Sequence, residues 1–138
     1  MNGQIDFLCI GAAKCGTTWL YERLRELSEF ALPYKKELHY FNRDSYDEVT
    51  LYPVINELKE SSFIKRLKDR SFINRSIYYV FHALKIKDID QFKWYLKWYY
   101  SNYDDKWYLS LFDSFKGITG EFSPSYAILN DSDIEKMH

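Results

Sequence analysis

The chain predicts an α/β fold built on a parallel sheet, and three observations predict it. An apolar run from Ile5 to Ile10, broken only by Asp6, passes into a loop of small residues and then into a helical pattern. A second apolar segment, Phe30-Ala31-Leu32, follows that helix and stops at Pro33, completing a strand–helix–strand unit whose crossover should be right-handed. A third strand, Ile118-Thr119-Gly120-Glu121, arrives only after a long stretch of helical periodicity.

The elements follow in order. Thr17 to Leu27 reads as a helix, with Leu20, Leu24 and Leu27 on one face. Asp44 to Lys116 reads as a helical insertion without clear repeats. Within it, Val54 to Leu67 alternates apolar and charged residues at helical spacing. Its basic residues Lys59, Lys65, Arg66, Lys68, Arg70 and Arg75 are mixed with Glu57, Glu60 and Asp69, the pattern of a solvated face. Asp88 can cap a helix running to about Tyr103, with Phe92, Tyr95, Leu96, Tyr99 and Tyr103 as one stripe and Trp94 and Trp98 as a second. Trp107 to Phe115 suggests one more helix. Pro124 ends the third strand, and Asp131 is placed to cap a last helix.

A chain of 138 residues is one domain. It divides into 5–43, 44–116 and 117–138. With 46% hydrophobic and 28% charged residues the composition is that of a soluble globular protein, and the 20% aromatic share implies bulky packing. A net charge of −1 argues against general nucleic-acid binding. Cys9 and Cys15 suggest neither a disulfide framework nor a metal site. The N-terminus carries no basic and apolar signal pattern, and no apolar run approaches a membrane span, so the expected location is cytoplasmic, without membrane attachment.

The chemistry concentrates in Gly11-Ala12-Ala13-Lys14-Cys15-Gly16-Thr17-Thr18. Free N–H groups at a helix start, small residues that let a ligand approach, one lysine and two hydroxyls make an anion site. The spacing is not that of the nucleotide-triphosphate loop G-x-x-x-x-G-K-[ST]. Gly11 and Gly16 fit, but Thr17 stands where that motif has lysine, and the lysine lies inside the loop at position 14.

Gly11 to Leu20 instead resembles the 5′-phosphosulfate loop of sulfotransferases that use PAPS (3′-phosphoadenosine 5′-phosphosulfate). Two more segments agree in order. Pro33-Tyr34-Lys35-Lys36-Glu37-Leu38-His39-Tyr40-Phe41-Asn42 resembles the K-E-x-H-[FY]-F segment of heparan-sulfate-type and bacterial sulfotransferases, and Gly120-Glu121-Phe122-Ser123-Pro124-Ser125-Tyr126 resembles their G-E-x-[ST]-P-x-Y segment. The resemblance implies a P-loop-like three-layer αβα frame, here cut to about three strands. It implies transfer of a sulfuryl group from PAPS, leaving PAP, to a hydroxyl or amine acceptor, a saccharide among the candidates, with no metal.

On that resemblance Gly11, Ala12, Ala13, Lys14, Cys15, Gly16, Thr17 and Thr18 bind the donor, with Lys14 also stabilising the leaving phosphate. Glu37 is the candidate base for the acceptor proton. His39 either assists it or is a hydrogen-bonded loop histidine. Lys36, Glu121 and Ser123 are substrate-side candidates, and Tyr126 either shapes the pocket or packs. Where some members have lysine between the glutamate and the Ser/Thr, this chain has Phe122. The family's later arginine- and serine-bearing segment, which holds the 3′-phosphate, has no counterpart before His138, and no arginine follows Arg75. The expectation is an N-terminal part of such an enzyme, with an open sheet edge that favours marginal stability or self-association. A non-catalytic anion-binding remnant or assembly module is the alternative reading. A nucleotide kinase of the P-loop class is disfavoured by the position of Lys14.

Overall fold

A computed structural model describes residues 5–43 and 58–137. The order is β1 (Phe7–Cys9), α1 (Thr17–Arg25), α2 (Phe63–Arg66), α3 (Arg70–Lys85), α4 (Ile89–Tyr99), α5 (Asp105–Ser110), β2 (Gly120–Phe122), a 3-10 turn over Pro124–Ile128, and α6 (Asp131–Glu135). The fold is mixed α/β. β1 and β2 pair in parallel with Phe7 opposite Gly120, Leu8 opposite Glu121 and Cys9 opposite Phe122.

The segment at Phe30 is not a third strand but a single parallel bridge to Ile118, a correction to the three-strand expectation. Ala31 N donates to Ile118 O at 3.0 Å and Ile118 N to Glu29 O at 2.8 Å. The ladder stops there because Pro33 has no N–H to continue it and the chain bends over Tyr34–Lys36. Contact with β2 resumes once, where Glu37 N donates to Phe122 O at 2.9 Å. The chain from Phe30 to Glu37 therefore runs beside β2 on the side opposite β1.

At Gly120 any side chain would force the Phe7 ring to move. A Cβ there would fall 2.4 Å from the Phe7 ring, which lies across the strand. That ring packs edge-on against Phe122 and Phe30, with centroids 5.6 and 6.3 Å away. Phe7, Phe122, Tyr21 and Leu32 form a small core between the strand pair and α1. The buried face of α1 is Thr17 and Tyr21, whose hydroxyl donates to Pro33 O at 2.6 Å. Leu20 and Leu27 of the expected Leu20–Leu24–Leu27 face are exposed, since the described chain packs on the Tyr21 side.

The larger core is aromatic and belongs to the helical insertion. Asp88 caps α4 by accepting from Gln91 N, as the spacing implies. The Trp94 and Trp98 stripe of α4 is buried; of the other stripe Tyr95, Tyr99 and Tyr103 are buried, Phe92 is half-buried and Leu96 is exposed. Trp94 Nε1 donates to Leu111 O at 3.0 Å and Trp107 Nε1 to Lys97 O at 2.9 Å, so each indole buries its rings without leaving its N–H unpaired. α4 ends four residues before Tyr103. The helix expected over Trp107–Phe115 begins two residues earlier and closes at Ser110. α3 packs along α4, with Phe72 on Tyr99 and Tyr79 on Tyr95. The last helix is capped by Asn130, not Asp131, because the Asn130 side chain accepts from Asp133 N. The part of the Val54–Leu67 expectation before residue 58 lies outside the described residues. Among the described residues no helix is long and apolar enough to cross a membrane.

Lys59, Lys65, Lys68 and Arg70 are exposed, as a solvated face requires, and Arg75 is half-buried, but Arg66 departs from that reading. It is buried, with its guanidinium 3.5 Å from the Tyr103 ring centroid. It donates to Glu60 O at 2.8 Å, to Ser61 O at 2.9 Å and to Ser101 O. Arginine's rigid, planar fork reaches these spread-out carbonyls with less loss of freedom than a lysine ammonium would. Arg66→Met should cost about 3 kcal/mol through three carbonyls losing a charged donor, and Arg66→Lys should fall between. Urea denaturation reads both, and a loss under about 1 kcal/mol for Met would contradict the assigned role.

Candidate functional site

The loop after β1 is exposed from Ala12 to Gly16 and turns through Cys15 N donating to Ala12 O at 3.4 Å. Gly16 stands at the N-cap of α1 with φ 80, a left-handed conformation that glycine takes without a Cβ penalty. A Cβ added at Gly11 or Gly16 would meet nothing within 4 Å, so the backbone is open to an approaching group. Lys14 is exposed and also left-handed, at φ 63. Cys15 is a free thiol whose Sγ lies 3.0 Å from Ala12 O. Thr17 is buried and Thr18 exposed, so Thr18 is the hydroxyl presented at the helix start. The donor set of N–H groups, one ammonium and one hydroxyl fits a phosphate-like oxyanion.

The segment Lys36–His39 is tied to this helix start through Lys36. Lys36 Nζ donates to Thr18 Oγ1 at 2.9 Å and to Glu37 Oε1 at 2.8 Å. Glu37 Oε2 lies 3.6 Å from His39 Nε2. The His39 hydrogen bond, opposed by burial and reinforced by Lys36, brings the Glu37 carboxyl down to about 2. Glu37 and His39 both sit at positive φ, 61 and 58. His39 is buried, with Nδ1 3.1 Å from Ser125 Oγ and 3.4 Å from Asn42 Nδ2. Nδ1 of His39 faces Ser125 and Asn42 and Nε2 faces Glu37, and the tautomer sets which of the two ring nitrogens carries the proton.

Glu121 and Ser123 are placed differently from the loop and base residues. Both are buried, and Ser123 Oγ donates to Glu121 Oε1. Tyr126 donates to the same oxygen at 2.7 Å, and Tyr108 of α5 donates to Oε2. Burial pushes the Glu121 carboxyl up against the pull of Ser123, Tyr108 and Tyr126. Tyr126 OH also accepts from Phe41 N at 3.3 Å, so this buried cluster grips the base segment from behind. The structure thus ties Lys36 to Thr18, Glu37 to Lys36 and His39 to Glu37, and buries Glu121 and Ser123 in a separate hydroxyl cluster.

Sequence reasoning singled out neither the Lys36 bridge nor the Ser125 and Asn42 contacts to His39. Tyr108 was not singled out within the helix expected over Trp107–Phe115. Ser125 lies within the motif quoted above, which was the available signal. Among the described residues, no three His, Cys, Asp or Glu side chains cluster as metal ligands. A cavity of about 890 Å³ lies along β1, between residues that include Ile5, Leu8, Tyr40 and Leu109. It touches neither residues 11–18 nor Glu37 and His39, so size alone does not locate the chemistry.

No protein-family model matches the sequence, and no curated protein matches it. Among solved structures, the chain is similar in fold to a sulfotransferase from Alicyclobacillus acidocaldarius, with a TM-score of 0.52 and 21% identity. The match covers 98% of this chain and 40% of that one, so the chain spans about two fifths of that structure's length.

Because its folded value lies below the ordinary 4.5, ionised Glu37 stabilises the fold. That contribution is complete above about pH 4.5 and is lost as pH falls toward 2. Glu37→Gln should flatten this part of an acid-unfolding curve. An unchanged curve would contradict the pairing with His39 and Lys36.

Proposed function

We propose that this chain forms the donor side of a sulfuryl-transfer site that uses PAPS and delivers to a hydroxyl or amine acceptor, within a P-loop-like three-layer frame. One observation carries the reading. Among the described residues, four non-glycine residues have positive φ, and three of them are Lys14, Glu37 and His39. Left-handed backbone costs a side-chain-bearing residue about 1–2 kcal/mol, and such strain gathers where side chains must be aimed rather than packed. The fold likeness to a sulfotransferase supports the same frame.

The chemistry then follows from the residues. The acceptor's proton passes to Glu37. The acceptor atom bonds to sulfur, and the bond from sulfur to the phosphate oxygen breaks, leaving PAP. Lys14 and the N–H groups of the loop face the charge that grows on that oxygen, where fixed donors are most effective. Thr18 adds a hydroxyl. His39, with Nε2 beside Glu37 Oε2, holds the carboxylate in place. Glu121 and Ser123 act from behind, fixing the base segment through Tyr126.

Calorimetric titration of the full chain with PAP tests the reading. We expect 1:1 binding that Lys14→Ala weakens about 10- to 100-fold, the worth of one charge-assisted bond. Glu37→Gln should leave PAP affinity within about threefold while lowering sulfate transfer about 10²- to 10⁴-fold, the usual yield of a general base. Absence of PAP binding removes the reading, and magnesium-dependent ATP binding in its place would replace it with phosphoryl transfer. PAP binding without transfer would leave a non-catalytic binding module.

A further inference from the structure

Lys36 stands between the two halves of the site. Its ammonium touches the first turn of α1 through Thr18 and the base through Glu37, at 2.9 and 2.8 Å. Its side chain is only 16% exposed, so these partners largely define where the charge sits. Thr18 Oγ1 accepts from Lys36, which leaves the hydroxyl's own proton to donate outward, toward whatever the loop holds. An oxyanion seated on Thr18 therefore arrives within reach of the same ammonium that restrains Glu37.

Resting on the sulfuryl-donor reading above, we propose that Lys36 is a positioning residue that makes the base respond to the donor. Without donor it is clamped to Glu37, which holds the carboxylate in its least basic form. When the donor's anionic end occupies the start of α1, the ammonium turns to the stronger charge beside Thr18 and releases Glu37 Oε1. Glu37 keeps its contact with His39 and becomes a stronger base. Proton abstraction is thereby tied to a loaded donor loop. No covalent step is involved; the ammonium keeps its three protons throughout. The charged groups that face Glu37 are Lys36 and His39, and only Lys36 also reaches α1.

The test follows the Glu37 carboxyl by NMR in the full chain, with PAP as the probe. In ligand-free protein, Lys36→Met should raise the Glu37 titration by about one pH unit, and Lys36→Arg, which keeps the charge, should leave it low. Saturating PAP should raise it by about one unit in the wild type, and by distinctly less in Lys36→Met, where only the field of the bound anion remains. The Lys36 Nζ resonance gives a second measure at neutral pH. It should move on Glu37→Gln substitution in ligand-free protein and stop doing so once PAP is bound. Equal PAP shifts in wild type and Lys36→Met, or a Glu37 that titrates unchanged while PAP binds, overturn the proposal and leave the donor reading standing. A flat PAP isotherm fails the donor reading itself, and the proposal falls with it.

Discussion

The carboxyl of Glu121 is the point on which the arrangement depends. A carboxyl group with no exposure is tolerable only if its oxygens are met by donors, and three hydroxyls meet them. The donors come from distant parts of the chain. Ser123 and Tyr126 follow β2, whereas Tyr108 belongs to the helical insertion. Tyr126 then passes the constraint on to Phe41 N, and Tyr108 lies stacked on Tyr40, with ring centroids 4.2 Å apart. One group therefore holds the sheet, the insertion and the base segment in a single register.

This constraint gives the left-handed residues their rationale. Glu37 and His39 are fixed on both sides, Glu37 by its N–H to Phe122 O and the following segment by Tyr126. Between those anchors the chain cannot relax the positive φ of either residue. The alternation of strained and ordinary backbone across Glu37-Leu38-His39 sends Leu38 into the core while the two polar side chains face one another. Lys14 reaches the same backbone state by a different route, through a loop of small residues that offers little steric resistance.

Much of this was legible in the sequence, and the limits have physical causes. The β1–loop–α1 unit was readable because apolar run, small residues and helix start each carry their own signal. Asp88 was readable as a cap because its side chain chemistry acts locally. The strand at Phe30 was over-read. Its composition suits a strand, but a ladder needs backbone donors on successive residues, and Pro33 removes one. α3 was not singled out because its buried stripe includes Ser76 and Ala83, while Tyr78 and Phe81 point outward and blur the apolar period. Arg66 was read as a surface charge because composition does not reveal that three carbonyls converge on its position. The bridge made by Lys36 is tertiary, joining residues eighteen apart, and no local pattern encodes it.

Gly120 carries a consequence for the meaning of a motif. In the segment Gly120 to Tyr126 it is tempting to assign every position to ligand handling, yet the glycine answers to the benzyl group of Phe7 lying over it. β1 leads directly into the loop of residues 11–16, so bulk at position 120 would first push the Phe7 ring out of its seat against Phe122 and Phe30. The seat of the strand that leads into residues 11–16 thus answers in part to a lone hydrogen atom on its neighbour.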